Sequence, residues 1–188
     1  VACNASGFTP GERGAIRQWV ESVDFLFPSG FKAKVSRGES VSENGVFVLR
    51  YEDDDVILPV PRYRRPAIKN AGGPFSAPDG VMDFVDFVVG SEGIFGLVAG
   101  CVLRLADCPR AHLDLFFSLP SEKDAVRFRD YLASVLDGGV GSLSALEYFG
   151  ANSRKYMNHE NVLFHGEDPV AVYIQAPVHE GSVEDAAE

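Results

Sequence analysis

The sequence predicts an α+β fold. Three observations carry that expectation. Apolar residues alternate strictly on both sides of a Pro28-Ser29-Gly30 turn. One well-capped amphipathic segment follows Pro120. Strand-like patterns lie before and after it, so sheet and helix fall into separate layers.

Val23, Phe25 and Phe27 alternate along an extended chain, and Phe31, Ala33 and Val35 answer them against Lys32, Lys34 and Ser36. Proline fixes φ and glycine permits positive φ, so the turn between them closes a β-hairpin with one buried face. Residues 46–51 read as a further strand. Glu52-Asp53-Asp54-Asp55 reads as a solvated turn, and Val56-Ile57-Leu58 resumes the apolar pattern. A calcium loop needs alternating ligands and a correctly spaced glutamate, which this run lacks. Pro59, Pro61, Pro66, Pro74 and Pro78 exclude a long helix over residues 59–81. Residues 83–89 are an apolar run read as a strand, and residues 94–105 read as a second one.

Residues 112–119 form the next strand and stop at Pro120. Ser121 suits an N-cap, with Glu122 and Asp124 in the first turn. Ala125, Phe128, Leu132, Val135 and Leu136 recur at helical spacing until Gly138-Gly139. Residues 143–149 read as a strand or as the lead into a second helix, and residues 171–176 as a strand. The acidic end from Glu180 is expected to fray.

Composition narrows the function. The chain has 188 residues, 46% hydrophobic and 23% charged, which is enough apolar surface to avoid disorder. Its formal charge of −10 disfavours a nucleic-acid partner, because phosphate neutralisation needs a basic face. No run approaches the about 18 apolar residues of a membrane span. Cys3, Cys101 and Cys108 show no C-x-x-C spacing. They read as buried, reduced thiols, which implies a cytoplasmic protein. No signal-peptide pattern follows Val1, and the start at Val1 looks like the middle of a longer chain. His112, His159, His165 and His179 read as surface or loop residues, and no metal site is expected.

Two small-residue turns are the places where chemistry can sit. They are Asn4-Ala5-Ser6-Gly7 and Gly90-Ser91-Glu92-Gly93-Ile94-Phe95-Gly96. Small residues admit a ligand close to the backbone, and successive N–H groups in a turn form an anion-binding nest. Gly-rich turns between strands are also purely structural. Ser6 and Ser91 lack the G-x-S-x-G elbow of a hydrolase, and no G-x-G-x-x-G opens a helix.

In this order and at this separation the two turns resemble a known family. The segment from Gly90 to Leu97, followed by Val102-Leu103-Arg104-Leu105, resembles the G-S-E-G-T-L-G-I…x-L-[RK]-[LV] segment of FAD-linked oxidases. These belong to the vanillyl-alcohol oxidase and p-cresol methylhydroxylase (PCMH) superfamily. Val1-Ala2-Cys3-Asn4-Ala5-Ser6-Gly7 resembles the V-A-T-N-A-S-G of the branch containing D-lactate dehydrogenase and the glycolate oxidase flavin subunit. Gly14 with Arg17-Gln18-Trp19-Val20, and Phe27-Pro28-Ser29-Gly30, resemble its Y-G-x-x-R-D-x-V…L-P-D-G. Lys69-Asn70-Ala71-Gly72 resembles K-N-x-A-G-Y, with Pro74 near the place of the aromatic. Ala145-Leu146-Glu147 resembles the A-L-E of its cap, so the likeness spans about residues 1–150.

The resemblance implies an FAD-dependent oxidoreductase acting on a small 2-hydroxy acid. Hydride would pass from the substrate α-carbon to the flavin, with an electron-acceptor protein or quinone downstream. Residues 1–106 would be the second part of a PCMH-type FAD-binding domain, and residues 107–188 the start of an α+β cap. Asn4, Ala5, Ser6, Gly7, Gly90, Glu92, Gly93, Ile94 and Leu97 would contact the cofactor, with Lys69 and Asn70 near the flavin or the substrate entrance. Lys69 either stabilises the reduced, anionic ring or faces solvent. No catalytic residue is assigned. Arg62, Arg64 and Arg65 either attract an acid substrate or form a solvated loop. The family's upstream phosphate loop and its H-G-H-x-G-D-G-N motif are absent; His165-Gly166-Glu167-Asp168 only echoes the latter. The chain on its own is therefore expected to be colourless and inactive. Its parent would be cytoplasmic, or peripheral to the membrane through its electron acceptor. The alternative is a non-catalytic binding module that keeps the fold without FAD.

Overall fold

Alternation around the Pro28-Ser29-Gly30 turn builds the hairpin it predicts. In a computed structural model, which describes residues 1–51, 54–60, 63, 66, 68–77, 79–158, 163–167 and 169–181, β1 (Val20–Leu26) pairs antiparallel with β2 (Lys32–Ser36). Phe27 N–H donates to the Phe31 carbonyl at 2.8 Å, and Gly30 takes a φ of 89° to close the turn. β3 (Val46–Tyr51) and β4 (Asp54–Pro59) form a second antiparallel hairpin. Asp54 and Asp55 therefore belong to a strand rather than to a four-residue acidic turn, and Arg50 pairs with Asp55 at 3.3 Å. Glu52 and Asp53 lie outside the described residues.

Residues 83–89 are not a strand. Phe84–Val88 is a short helix, α1, because the Asp83 carboxylate accepts from Val85 N–H at 2.8 Å and caps its first turn. An apolar run this short fits a buried helix as well as a buried strand, and the cap decides. β5 (Leu97–Leu103) then returns antiparallel to β1, giving the sheet order β2-β1-β5. The expected strand over 94–105 is thus shorter at both ends.

α1 holds this half together. Phe84 is fully buried, and its ring meets Phe25, Phe27, Phe47 and Phe87 at centroid distances of 6.0, 6.2, 5.6 and 5.6 Å. It joins residues of β1, of the β3–β4 hairpin and of its own helix into one core. The chain divides into two compact units. One is Val1–Gly7 with Glu12–Ala106, and the other is Phe8–Gly11 with Asp107–Glu188.

The second unit is an α/β layer. β6 (Ala111–Leu119), β7 (Ala145–Phe149) and β8 (Val170–Val178) form an antiparallel sheet in the order β6-β8-β7. α2 (Glu122–Val135) begins at Ser121, whose Oγ accepts from Asp124 N–H at 3.3 Å. Its apolar stripe, Ala125, Phe128 and Leu132, packs with Leu115, Phe117, Val172 and Ile174 of the sheet. The architecture is α+β, with antiparallel sheets throughout.

The other face of this sheet carries a polar cluster. Tyr173 Oη donates to Asp114 Oδ1 at 2.6 Å, and Gln175 Nε2 donates to the same oxygen at 2.9 Å. Those two bonds, Tyr173 first, hold the Asp114 carboxyl below the usual carboxylate range. The Asp114 bond in turn pushes the Tyr173 phenol up.

The cysteines are free but not buried. Cys3, Cys101 and Cys108 are all exposed, because they sit in a turn, on the edge strand β5 and beyond it. His165 and His179 are exposed, His112 is half-buried in β6, and His159 lies outside the described residues.

Two predictions follow from these contacts. Phe84→Ala empties the ring's place among four other phenylalanines and should cost about 3–5 kcal/mol in urea unfolding. Asp114 has a depressed folded pKa, so its contribution to stability is present above the unfolded carboxyl value and lost as pH falls through the folded one. Removing its main hydrogen bond with Tyr173→Phe should raise the Asp114 pKa in an NMR titration. An unchanged titration would mean that the Tyr173 bond does not set it.

Candidate functional site

A buried guanidinium organises the first unit. Arg17 lies in a short 3-10 turn, Ile16–Trp19, just before β1, and is 3% exposed. Its Nη1 donates to the Asp86 carbonyl and to Asp86 Oδ1, both at 3.0 Å. Its Nη2 donates to the Gly72 carbonyl at 3.3 Å and to the Val89 carbonyl at 2.6 Å. Asp86 is shared with Arg37, whose Nη1 lies 3.1 Å from Oδ2. A charge this deep is tolerated only when its donors are satisfied, and here two separate segments, residue 72 and residues 86–89, supply the acceptors.

Asn4 does the same with an amide. It is 1% exposed and has a φ of 44°, a left-handed conformation that asparagine accepts more readily than most residues. Its Oδ1 accepts from Arg17 N–H at 3.2 Å. Its Nδ2 donates to the carbonyls of Asn70 and Gly72, each at 3.3 Å. Residues 66 and 68 positions away are thereby tied to the first turn.

The remaining sequence-predicted residues gather on this pair. Ala5, Ser6 and Gly7 run beside residues 14–16: Gly7 N–H donates to the Gly14 carbonyl at 3.2 Å, and the Ala5 carbonyl accepts from Ile16 N–H at 3.0 Å. Lys69 Nζ donates to the Gly7 carbonyl at 2.5 Å. Asn70 shapes its own turn, with Oδ1 accepting from Gly72 N–H at 3.1 Å. Gly90 is buried at a φ of 83°, and a Cβ there would lie 3.1 Å from Gly73 Cα. A Cβ at Gly73 would lie 2.8 Å from the Val89 carbonyl oxygen. Both glycines are needed because two backbones touch. Glu92 N–H donates to the Ala2 carbonyl at 2.9 Å and so joins the two turns directly. Segments 4–7, 69–73 and 90–92 therefore form one place in the fold.

Glu92 and Gly93 are exposed, as are Ile94 and Leu97, the last two at 75% and 65%. They extend from the cluster and are not packed into it. The open-nest expectation also needs correction. The amides of Asn4, Gly7 and Glu92 are spent on internal bonds, because the turns close on each other and on residue 14. The amides of Ala5 and Ser6 carry no partner among the described residues.

Two residues were missed as site members. Arg17 sat in the quoted motif, but nothing in a sequence says that an arginine is buried. Ser91 lies between the assigned Gly90 and Glu92; it is 1% exposed, and its Oγ has no hydrogen-bond partner among the described residues. A buried hydroxyl without a partner is costly. Arg62, Arg64 and Arg65 lie outside the described residues. A cleft of about 500 Å³ in the same unit, lined by Ser42, Asn44, Tyr63, Ser76 and Asp79 among others, takes none of its lining from the assigned residues.

The chain's own donors test the cofactor expectation. Ala5 and Ser6 offer amides, and Ile94 and Leu97 apolar surface. A Cβ at Gly7 would find no atom within 4 Å, so a ligand can approach the backbone there. These groups fit one edge of a phosphate-bearing aromatic cofactor. No protein-family model matches the chain, and neither does any curated protein.

Arg17 offers the sharpest test of the site's construction. Arg17→Leu leaves the Gly72 and Val89 carbonyls without their buried donor, and should cost about 3–5 kcal/mol in denaturant unfolding. Arg17→Lys should not restore the loss, since a point charge cannot reach four acceptors in a fork. Recovery by lysine would show that charge alone matters.

Proposed function

We propose that this chain is part of an FAD-dependent oxidoreductase that oxidises a small 2-hydroxy acid. The carrying observation is the convergence of segments 4–7, 69–73 and 90–92 on Asn4 and Arg17. Arg17 and Val89 are 72 positions apart, and no composition argument brings them together. The resemblance requires that these segments serve one ligand, and their meeting supports it.

In this reading the Ala5 and Ser6 amides donate hydrogen bonds to the cofactor's polar edge, and Ile94 and Leu97 cover apolar ring surface. Lys69 holds the first turn through Gly7 and adds positive charge beside it. FAD, when bound, supplies the hydride acceptor. The chain's residues hold and orient it, while the acid substrate, the electron acceptor and the whole active centre belong to the parent protein. No helix among the described residues is long and apolar enough to cross a membrane.

A second reading, a non-catalytic module of the same fold, is favoured by the internal bonds of Asn4, Gly7 and Glu92, which keep the turns closed without a ligand.

One titration separates the two. The purified chain should be colourless, and added FAD should shift the NMR amide signals of Ala5, Ser6, Gly7 and residues 90–93, saturating only at high concentration. Ser91→Ala should leave those shifts in place and stability unchanged or raised by about 1 kcal/mol, because it removes a buried, unbonded hydroxyl. Shifts that map elsewhere, or none at all, would sink the flavin reading and leave the module.

A further inference from the structure

Gly7 and Phe8 are chain neighbours that belong to different units. The chain leaves the first unit after Gly7, spends Phe8–Gly11 on the second, and is back in the first at Glu12. The base of this excursion is closed. Ser6 bridges antiparallel to Ala15, and Gly7 N–H donates to the Gly14 carbonyl at 3.2 Å. The Gly7 carbonyl accepts from Lys69 Nζ at 2.5 Å, so both polar groups of Gly7 are held.

The tip is pinned to the second unit's own sheet. β7 is an edge strand in the order β6-β8-β7, and an edge strand presents unpaired N–H and C=O groups. The Phe8 carbonyl accepts from Leu146 N–H at 3.1 Å, and Thr9 Oγ1 donates to the Ser144 carbonyl at 2.8 Å. Pro10 follows with a fixed φ, which leaves little slack, and Gly11 turns the chain back at a φ of 69°. The Ser6 amide stands within about 10 Å of chain from the Phe8 carbonyl.

We propose that Phe8–Gly11 is a strap that couples the first turn to β7. Fixing residues 4–7 tightens the Phe8–Leu146 bond, and freeing the tip loosens Gly7. The two pins sit on consecutive residues, so neither opens without pulling on the other. By linkage the coupling runs in both directions. A segment that only covered the β7 edge would open at its tip and leave Gly7 undisturbed. The ligand half of this inference rests on the flavin reading, because FAD is what would fix residues 4–7. The tip half does not.

Amide hydrogen exchange on the whole chain tests both halves. Thr9→Val removes the donor to Ser144 with little change of shape. It should speed exchange of the Leu146 and Gly7 amides about fivefold, the worth of one hydrogen bond, while the amides of β1 and α2 keep their rates. Saturating FAD should slow the same two amides in the unsubstituted chain. Faster exchange at Leu146 alone, or no change at either amide in Thr9→Val, overturns the strap. FAD-induced shifts at residues 4–7 with an unchanged Leu146 rate overturn the coupling and leave the flavin reading standing. If FAD shifts nothing, the flavin reading fails, and the Thr9→Val rates alone decide the strap.

Discussion

The first unit depends on keeping one guanidinium out of water without leaving its donors unpaired. Arg17 is held between the Asp86 carboxylate and the carbonyls of Asp86, Gly72 and Val89. Breaking such a buried ion pair is worth several kcal/mol, comparable to a large part of a domain's net stability. The constraint propagates outward. The carbonyl of Gly72 must lie beside that of Val89, so the backbones at Gly73 and Gly90 meet with no room for a side chain. Asn4 then fills the space beside Arg17 N–H and ties the first turn to Asn70 and Gly72. The meeting of three distant segments thus follows from one polar requirement and two missing Cβ atoms.

That division separates scaffold from ligand surface. Asn4 and Asn70 spend their polar groups on internal bonds. The Ala5 and Ser6 amides are without a partner among the described residues, and Ile94 and Leu97 are exposed. A family pattern weights both kinds equally, because it records position and not direction. The residues that the resemblance names lie close together, but their groups face different ways. Lys69 illustrates the point: its ammonium reaches the Gly7 carbonyl, so its first duty is to the turn.

Legibility in the sequence tracked the range of the forces involved. The β1–β2 hairpin and α2 were readable because alternation, a Pro-Ser-Gly turn and a Ser121 cap are local signals. The helix at Phe84–Val88 was misread because four of its five residues are buried, so no face is marked by polarity. The cysteines were misplaced for a related reason. Burial of a residue in an edge strand depends on what covers the edge, and Cys101 sits on β5, which has a partner on one side only among the described strands. Ser91 was invisible as a donor because a missing hydrogen bond is a property of the folded surroundings.

Both units leave apolar surface where their secondary structure stops short. Along and after β5, Leu97, Val102, Leu103 and Leu105 are exposed, and in the second unit α2 leaves the β7 side open. Contiguous apolar surface of this kind is disfavoured in water, and it marks places where further protein or ligand is accommodated. The two surfaces ask for different things. The first is an edge strand with no charged side chain between Leu97 and Leu103, and it continues directly from the assigned Ile94. It extends the candidate cofactor surface without any charge to select a partner. The second is an apolar strip between α2 and β7, with Ala125, Leu146 and Val172 along it and Glu122 bonded to Tyr148 at its mouth.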